Sequence, residues 1–329
     1  MRFNPKARLD TSRVRSGGGG GAGGGMGGGM GGGMGGGGMR IPLPGGTKAG
    51  GGVGLLVIIV LIVVLKACAG IDLTGAVAGG GLGGYDVSRF QGDPTAYQNC
   101  QTGQDANKHP DTCGVVAVEN SLVDYWQDAL SQQSPRTPFQ PETAIVTFSG
   151  ATQTGCGQAS SAMGPFYCPN DQTIYFDPTF FHEILQQQLN GPSGAFVEPY
   201  VIAHEFGHHI QNLLGTMGKV RTQQGANSDS VRLELQADCY AGMWARNATQ
   251  TEDSQGNVLI QDLTEQDVQE AIAAAKSVGD DTIQRETSGR VNPEQWTHGS
   301  SAARAKWFQV GYTNGTLEAC DTFTGSNVE

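Results

Sequence analysis

The sequence predicts an α+β fold: a mainly helical domain with a small mixed or antiparallel sheet, preceded by one transmembrane helix. Three observations predict it. Several stretches after residue 95 space apolar residues at helical periodicity. Two short runs, 144–148 and 174–176, are rich in strand-forming residues. From Val53 to Leu65 every residue except Gly54 is a large aliphatic.

The first 85 of 329 residues contain 31 of the 52 glycines and include three Gly-Gly-Gly-Met units ending at Met26, Met30 and Met34. Such a segment loses much backbone entropy on ordering and offers few side chains to bury. Residues 1–48 therefore read as a flexible tether. With its weakly polar flanks the apolar run extends over 49–71, enough for the roughly 20 residues that cross a hydrocarbon core. Before it lie Arg2, Lys6, Arg8, Arg13, Arg15, Arg40 and Lys48 against the single acid Asp10. The positive-inside rule then predicts an uncleaved, single-pass anchor in the cell membrane, with a cytoplasmic N-terminus and everything after the span exported. Residues 72–95 form a linker and 96–329 the extracytoplasmic domain.

That domain carries six cysteines, Cys100, Cys113, Cys156, Cys168, Cys239 and Cys320. An even count in an oxidising compartment indicates three disulfides. Spacing favours two short loops, Cys100 with Cys113 and Cys156 with Cys168, leaving Cys239 for Cys320. The whole chain has a net charge of −11, and the domain is more acidic still once the basic N-terminus is set aside. An acidic surface disfavours nucleic acid as a partner.

Along the domain, Val115, Val118, Leu122, Val123, Trp126 and Leu130 predict a helix over 115–130, ended by Pro135 and Pro138. Strands follow at 144–148 and 174–176, with a further extended segment at 161–167. Asp177-Pro178 opens a helix carrying Phe180, Phe181, Ile184, Leu185 and Leu189. The next helix, 198–214, stops at Gly215. Another spans 230–247, and the last begins near Ser300 and runs through Arg304, Trp307, Phe308 and Tyr312.

The helix over 198–214 contains His204-Glu205-Phe206-Gly207-His208. Imidazoles four residues apart share a helical face, roughly 6 Å apart at Cβ, and can bind one Zn²⁺. Glu205 lies about 100° round the helix, off the ligand face but near enough to act as general base toward a metal-activated water. Catalytic zinc takes a third protein ligand and leaves a position for water. Glu234 is the best candidate, because Asp238 follows one turn later and can accept the free ring N–H of a ligand histidine. His182, His209, His298 and Asp238 itself compete for that role. Ala237, Cys239, Ala241 and Gly242 are small enough to let this helix pack closely on another. His298, near the start of the last helix, is a candidate donor to the oxyanion of a tetrahedral intermediate.

Taken together, the chain resembles the bacterial, membrane-anchored family of predicted neutral zinc metallopeptidases. The residues that carry the likeness are Ile71-Asp72-Leu73-Thr74-Gly75, Gly164-Pro165-Phe166-Tyr167-Cys168-Pro169, His204-Glu205-Phe206-Gly207-His208-His209, Glu234-Leu235-Gln236-Ala237-Asp238-Cys239-Tyr240-Ala241-Gly242 and His298-Gly299-Ser300-Ser301. The likeness covers nearly the whole chain apart from the tether, whose long Gly/Met repeat departs from a short family N-terminus. It implies a zincin-like, specifically gluzincin-like, site with His204, His208 and Glu234 as ligands and Glu205 as base. The expected reaction is hydrolysis of a peptide or protein substrate, an extended stretch of which lies along 161–167. Two other readings keep the metal: a non-catalytic zinc-containing surface or scaffold domain, and a hydrolase of another amide such as cell-wall peptide. Glu205 argues against the first, since a structural zinc site needs no base and closes with a fourth protein ligand.

Overall fold

The computed structural model describes residues 1–17 and 95–329. The apolar span at 49–71, the Gly/Met repeat and the linker lie outside the described residues, and among those described no helix is long and apolar enough to cross a membrane.

The fold is α+β, as the sequence predicts. A four-stranded mixed sheet has the order β2–β3–β7–β6, formed by Val14–Ser16 (β2), Ala144–Thr147 (β3), Thr173–Phe176 (β7) and Phe166–Cys168 (β6). The first three are parallel, and β6 runs antiparallel to β7. Every residue of β3 and β7 is buried, the pattern of parallel strands covered on both faces. Alternation along β3 sends Ile145 into the main helical core and Val146 into a smaller cluster with Phe166 and Tyr175. A hairpin of Ala151–Thr154 (β4) and Gly157–Ser160 (β5) adjoins this second cluster.

Helices α1 (Gly103–Lys108) and α2 (Pro110–Gln133) precede the sheet strands β3–β7; α3 (Val197–Leu213) and α4 (Asp229–Asn247) come after them. Then come strand β8 (Ile260–Asp262) and helices α5 (Glu265–Ser277), α6 (Asp280–Ser288) and α7 (Ser301–Asn314). The small residues of α4 permit two close approaches. A Cβ on Gly207 of α3 would lie 3.1 Å from the Ala237 carbonyl oxygen, and one on Gly242 would lie 2.1 Å from that of Phe308 in α7. These contacts let α3 and α7 both press their functional side chains onto α4.

Two expectations are corrected and one, the helix after Asp177, is refined. Residues 161–167 are not one extended segment: Ser161–Met163 makes a 3₁₀ turn and Gly164 takes a φ of 72°, so only Phe166–Cys168 joins the sheet. The helix opened by Asp177 is π-helical over Phe181–Gln186. The tether reading fails for residues 1–17. These form β1 (Arg2–Phe3), paired with β8, and β2, and they bury Phe3, Ala7, Leu9 and Val14 in the main core. The dense glycine run starts only at Gly17, and the apolar side chains ahead of it are spaced too widely for a periodicity search to detect.

Candidate metal centre

Helix α3 carries His204, Glu205 and His208, all buried, and α4 brings Glu234 and Asp238 to the same face. Helix α4 starts where it does because the Ser228 side chain accepts from Val231 N, capping its first turn. This fixes Glu234 little more than one turn into the helix. Glu234 Oε2 lies 3.2 Å from His204 Nε2, and Oε1 lies 3.6 Å from His208 Nε2. Among the described residues, His204, His208 and Glu234 form the group able to hold a metal ion, with one ligand atom each and all three within 4.8 Å of one another.

The far sides of both imidazoles are occupied. His204 Nδ1 is 2.8 Å from Asp238 Oδ1, and His208 Nδ1 is 2.9 Å from Gln211 Oε1. With each Nδ1 engaged by an acceptor, Nε2, which faces Glu234, is the ring nitrogen that a metal ion would take. Two imidazole nitrogens and a carboxylate are the donors of a catalytic Zn²⁺ site with room for water, so the residues fit this ion.

Asp238 is the hub behind the ligands. Arg304 of α7 grips it with two bonds, Nε to Oδ2 at 2.8 Å and Nη2 to Oδ1 at 3.0 Å, and the Tyr200 hydroxyl donates to Oδ1 at 2.6 Å. Burial alone would raise the pKa of this carboxyl, but the Arg304 and His204 charges bring it down to about 2. Glu234 behaves alike: burial opposes ionisation, yet His208 and hydrogen bonds from both histidines hold it well below the ordinary range. Burial disfavours charge on His204 too, but Asp238 and Glu234 push its pKa up to about 10. The cluster is thus built to accept positive charge.

The family profile described as "Putative neutral zinc metallopeptidase" matches residues 10–323. The chain is a member of this family. Similar relatives include "Uncharacterized protein Rv2575" of Mycobacterium tuberculosis (strain ATCC 25618 / H37Rv), 47% identical over 247 residues that cover 74% of this chain and 78% of the relative. "Uncharacterized protein YpfJ" of Escherichia coli (strain K12) is 38% identical over 273 residues, covering 81% of this chain and 86% of the relative. No solved structure matches the chain.

In this metallopeptidase family member the remaining expected site residues divide clearly. Glu205 is buried beside the ligands but is not one of the three converging donors. Burial raises its pKa, against the pull of the His208 and His204 charges. His298 approaches from the loop before α7. Its Nδ1 lies 2.9 Å from Thr297 Oγ1 and 3.4 Å from Asp280 Oδ1, and its charge helps to lower Glu234. His209 points elsewhere, between the Tyr167 hydroxyl (3.0 Å) and the Gln140 carbonyl (2.8 Å). His182 is exposed and pairs with Gln187. Neither belongs to the donor group.

Sequence reasoning missed Tyr200, Gln211 and Asp280, and placed Arg304 only within the last helix. Asp280 fixes the His298 loop by accepting the backbone N–H groups of Thr297, His298 and Gly299 at 2.7, 2.6 and 3.0 Å. Gln211 was findable as the residue one turn beyond His208. Asp280 lies 18 positions from His298 and gave no local signal. The disulfides are Cys100–Cys113, Cys156–Cys168 and Cys239–Cys320, the pairing that spacing favours. The last anchors the C-terminal tail to α4, where the Gln236 amide donates to the Cys320 carbonyl at 3.0 Å.

Proposed function

We propose that the protein is a zincin-like, zinc-dependent peptidase acting outside the cytoplasm, attached to the cell membrane through its apolar segment at 49–71. One observation carries the catalytic reading: His204 Nε2, His208 Nε2 and the Glu234 carboxylate converge, while Glu205 on the same helix stays outside the donor set. The three disulfides support an oxidising compartment.

When bound, Zn²⁺ supplies Lewis acidity to the scissile carbonyl and to the attacking water. Glu205 accepts the proton of that water and passes it to the leaving amine. Burial, which raises its pKa, brings its basicity closer to neutral pH and suits both transfers. His298, its Nδ1 side fixed by Thr297 and Asp280, presents the other ring nitrogen to the oxyanion. Strand β6 is an edge strand of the sheet, and an extended substrate pairs along it by strand addition.

The test compares wild type with Glu205→Gln for bound zinc and for cleavage of a diverse peptide library. Equal zinc with cleavage lost in the variant supports the reading. Zinc without cleavage in either protein favours the scaffold alternative, and wild type that binds no zinc refutes the assignment. Cleavage confined to cell-wall peptide would make it a hydrolase of that amide.

A further inference from the structure

We propose that residues 1–17 share the compartment of the metal-site domain, so that the amino-terminal segment lies on the same side of any membrane as residues 95–329. The segment is woven into the domain by backbone and side chains together. Strand β2 extends the sheet in register, with Val14, Arg15 and Ser16 opposite Ile145, Val146 and Thr147. Its ladder is continued by Ile145 N to Arg13 O at 2.8 Å and Gly17 N to Thr147 O at 2.6 Å. Earlier residues bond two further regions: Asn4 N to Leu259 O at 2.8 Å in one, and Gly103 N to Ala7 O at 2.9 Å and Leu9 N to Gln101 O at 3.0 Å in the other. An unpaired buried backbone group is costly, so these partners specify the segment rather than merely tolerate it.

Side chains make the same case. Ala7 and Val14 are wholly buried. The Asn120 side chain clasps Asp10, accepting from its N–H at 2.6 Å and donating to its carbonyl at 2.9 Å. Arg13 Nε reaches Glu119 Oε1 at 2.6 Å, and Glu119 is fully buried next to a second buried carboxyl, Glu142. Without residues 1–17 this acid pair would face no guanidinium, and the core would lose four apolar side chains.

The receiving surface ties the segment to a compartment. Gln101 and Gly103 lie within the loop closed by the Cys100–Cys113 disulfide. Disulfides persist in oxidising compartments, so a segment docked on that loop is exported with it. An odd number of membrane crossings between residues 17 and 95 would separate β2 from β3, whichever copy of the chain supplied the strand. The single-pass arrangement expected from the basic N-terminus is therefore incompatible with the seam, and the membrane attachment proposed for 49–71 stands only where both ends of that segment stay on one side. One of the positive charges behind that expectation, Arg13, is committed to an internal ion pair and is not a free topological signal.

The experiment places one epitope tag in the glycine run after Gly20 and a second after Glu329 of the full chain in bacterial cells, then exposes spheroplasts to a protease with and without detergent. The expected result is that both tags are cleaved together in intact spheroplasts. If both are protected until detergent is added, the shared compartment stands and the extracytoplasmic reading fails. Cleavage of one tag alone overturns the proposal. Hydrogen exchange on the purified full chain tests the docking itself. The Leu9, Gly17 and Ile145 amides should be protected. Gly103→Ala, whose Cβ would lie 2.0 Å from the Asn4 carbonyl oxygen, should speed their exchange about tenfold or more. Unprotected amides at Leu9 and Ile145 in the wild type would refute the docking.

Discussion

At the metal centre Glu234 and Asp238 are held below the ordinary carboxylate range, whereas at the amino-terminal seam Glu119 and Glu142 are both raised above it. Depth does not explain the difference, since Asp238 and Glu119 are each 0% exposed. The number of positive partners does. Asp238 receives the Arg304 guanidinium, an imidazole and a tyrosine hydroxyl, and Glu234 faces two imidazoles. At the seam, one guanidinium serves two carboxyls. Burial thus sets the cost of a charge, and local stoichiometry decides whether the charge forms. The centre gathers enough positive charge to favour ionised acids and a bound cation; the seam, with one guanidinium for two carboxyls, pushes both toward protonation.

The largest expected effect separates chemistry from architecture at the centre. Glu205→Gln should lower kcat/KM by about 10²–10⁴-fold, the range for losing a general base, with the zinc content of the wild type. Metal analysis alongside peptide kinetics checks it. Lost zinc would place Glu205 among the ligands and overturn the division between donors and base.

Arg13→Ala should destabilise the fold by about 3 kcal/mol, because removing one partner leaves a buried carboxylate uncompensated. Arg13 is 22% exposed at its side chain, which puts the expectation at the low end of that range. Urea unfolding measures it. Adding Glu119→Gln to the Arg13→Ala variant should restore part of the loss, since it removes the orphaned charge. A double variant weaker than Arg13→Ala would show that Glu119 does more than face Arg13.

Asp238→Asn should weaken zinc binding by about 10–100-fold, the usual penalty for disturbing the group behind a ligand histidine. Competition with a chelator reads this directly. The effect is smaller than loss of a ligand, because His204, His208 and Glu234 remain; Glu234→Ala should lose the metal outright.

These two clusters also differ in how far they could be read in the sequence. The centre was legible because helix periodicity makes spacing into geometry: His204 and His208 at four residues, and Glu234 and Asp238 at four, can each share one face. Even so, the partner of His208 and the anchor of His298 went unseen, since Gln211 and Asp280 belong to residue types with many roles. The disulfide pairing followed from loop length. The seam was invisible. Arg13 and Glu119 lie 106 positions apart, and β2 is only three residues long. Its pairing is parallel and non-local, so no hairpin turn announces it. Composition biased the reading further, because the glycine run beginning at Gly17 made the residues before it look like part of one tether.

The smallest expected effect is the pH dependence that the seam imposes. In the unfolded chain Glu119 and Glu142 titrate near the ordinary value of 4.5, while in the folded protein both are raised, by burial first and, at Glu142, by the neighbouring Glu119 charge. The folded state therefore binds more protons above pH 4.5, and stability must fall as pH rises through that region. Glu198, raised to about 8 by burial and by Asp111, contributes a slope of the same sign, and so does Asp124, raised to about 6 by burial and by Asp253. Glu142→Gln isolates the seam: it removes the group that competes with Glu119 for Arg13, and it should flatten the decline in unfolding free energy as pH rises above the ordinary carboxyl range while leaving the Glu198 and Asp124 contributions in place. An unchanged slope would mean that the two carboxyls do not share a proton in the folded state, and that the seam, like the metal centre, holds its acids ionised.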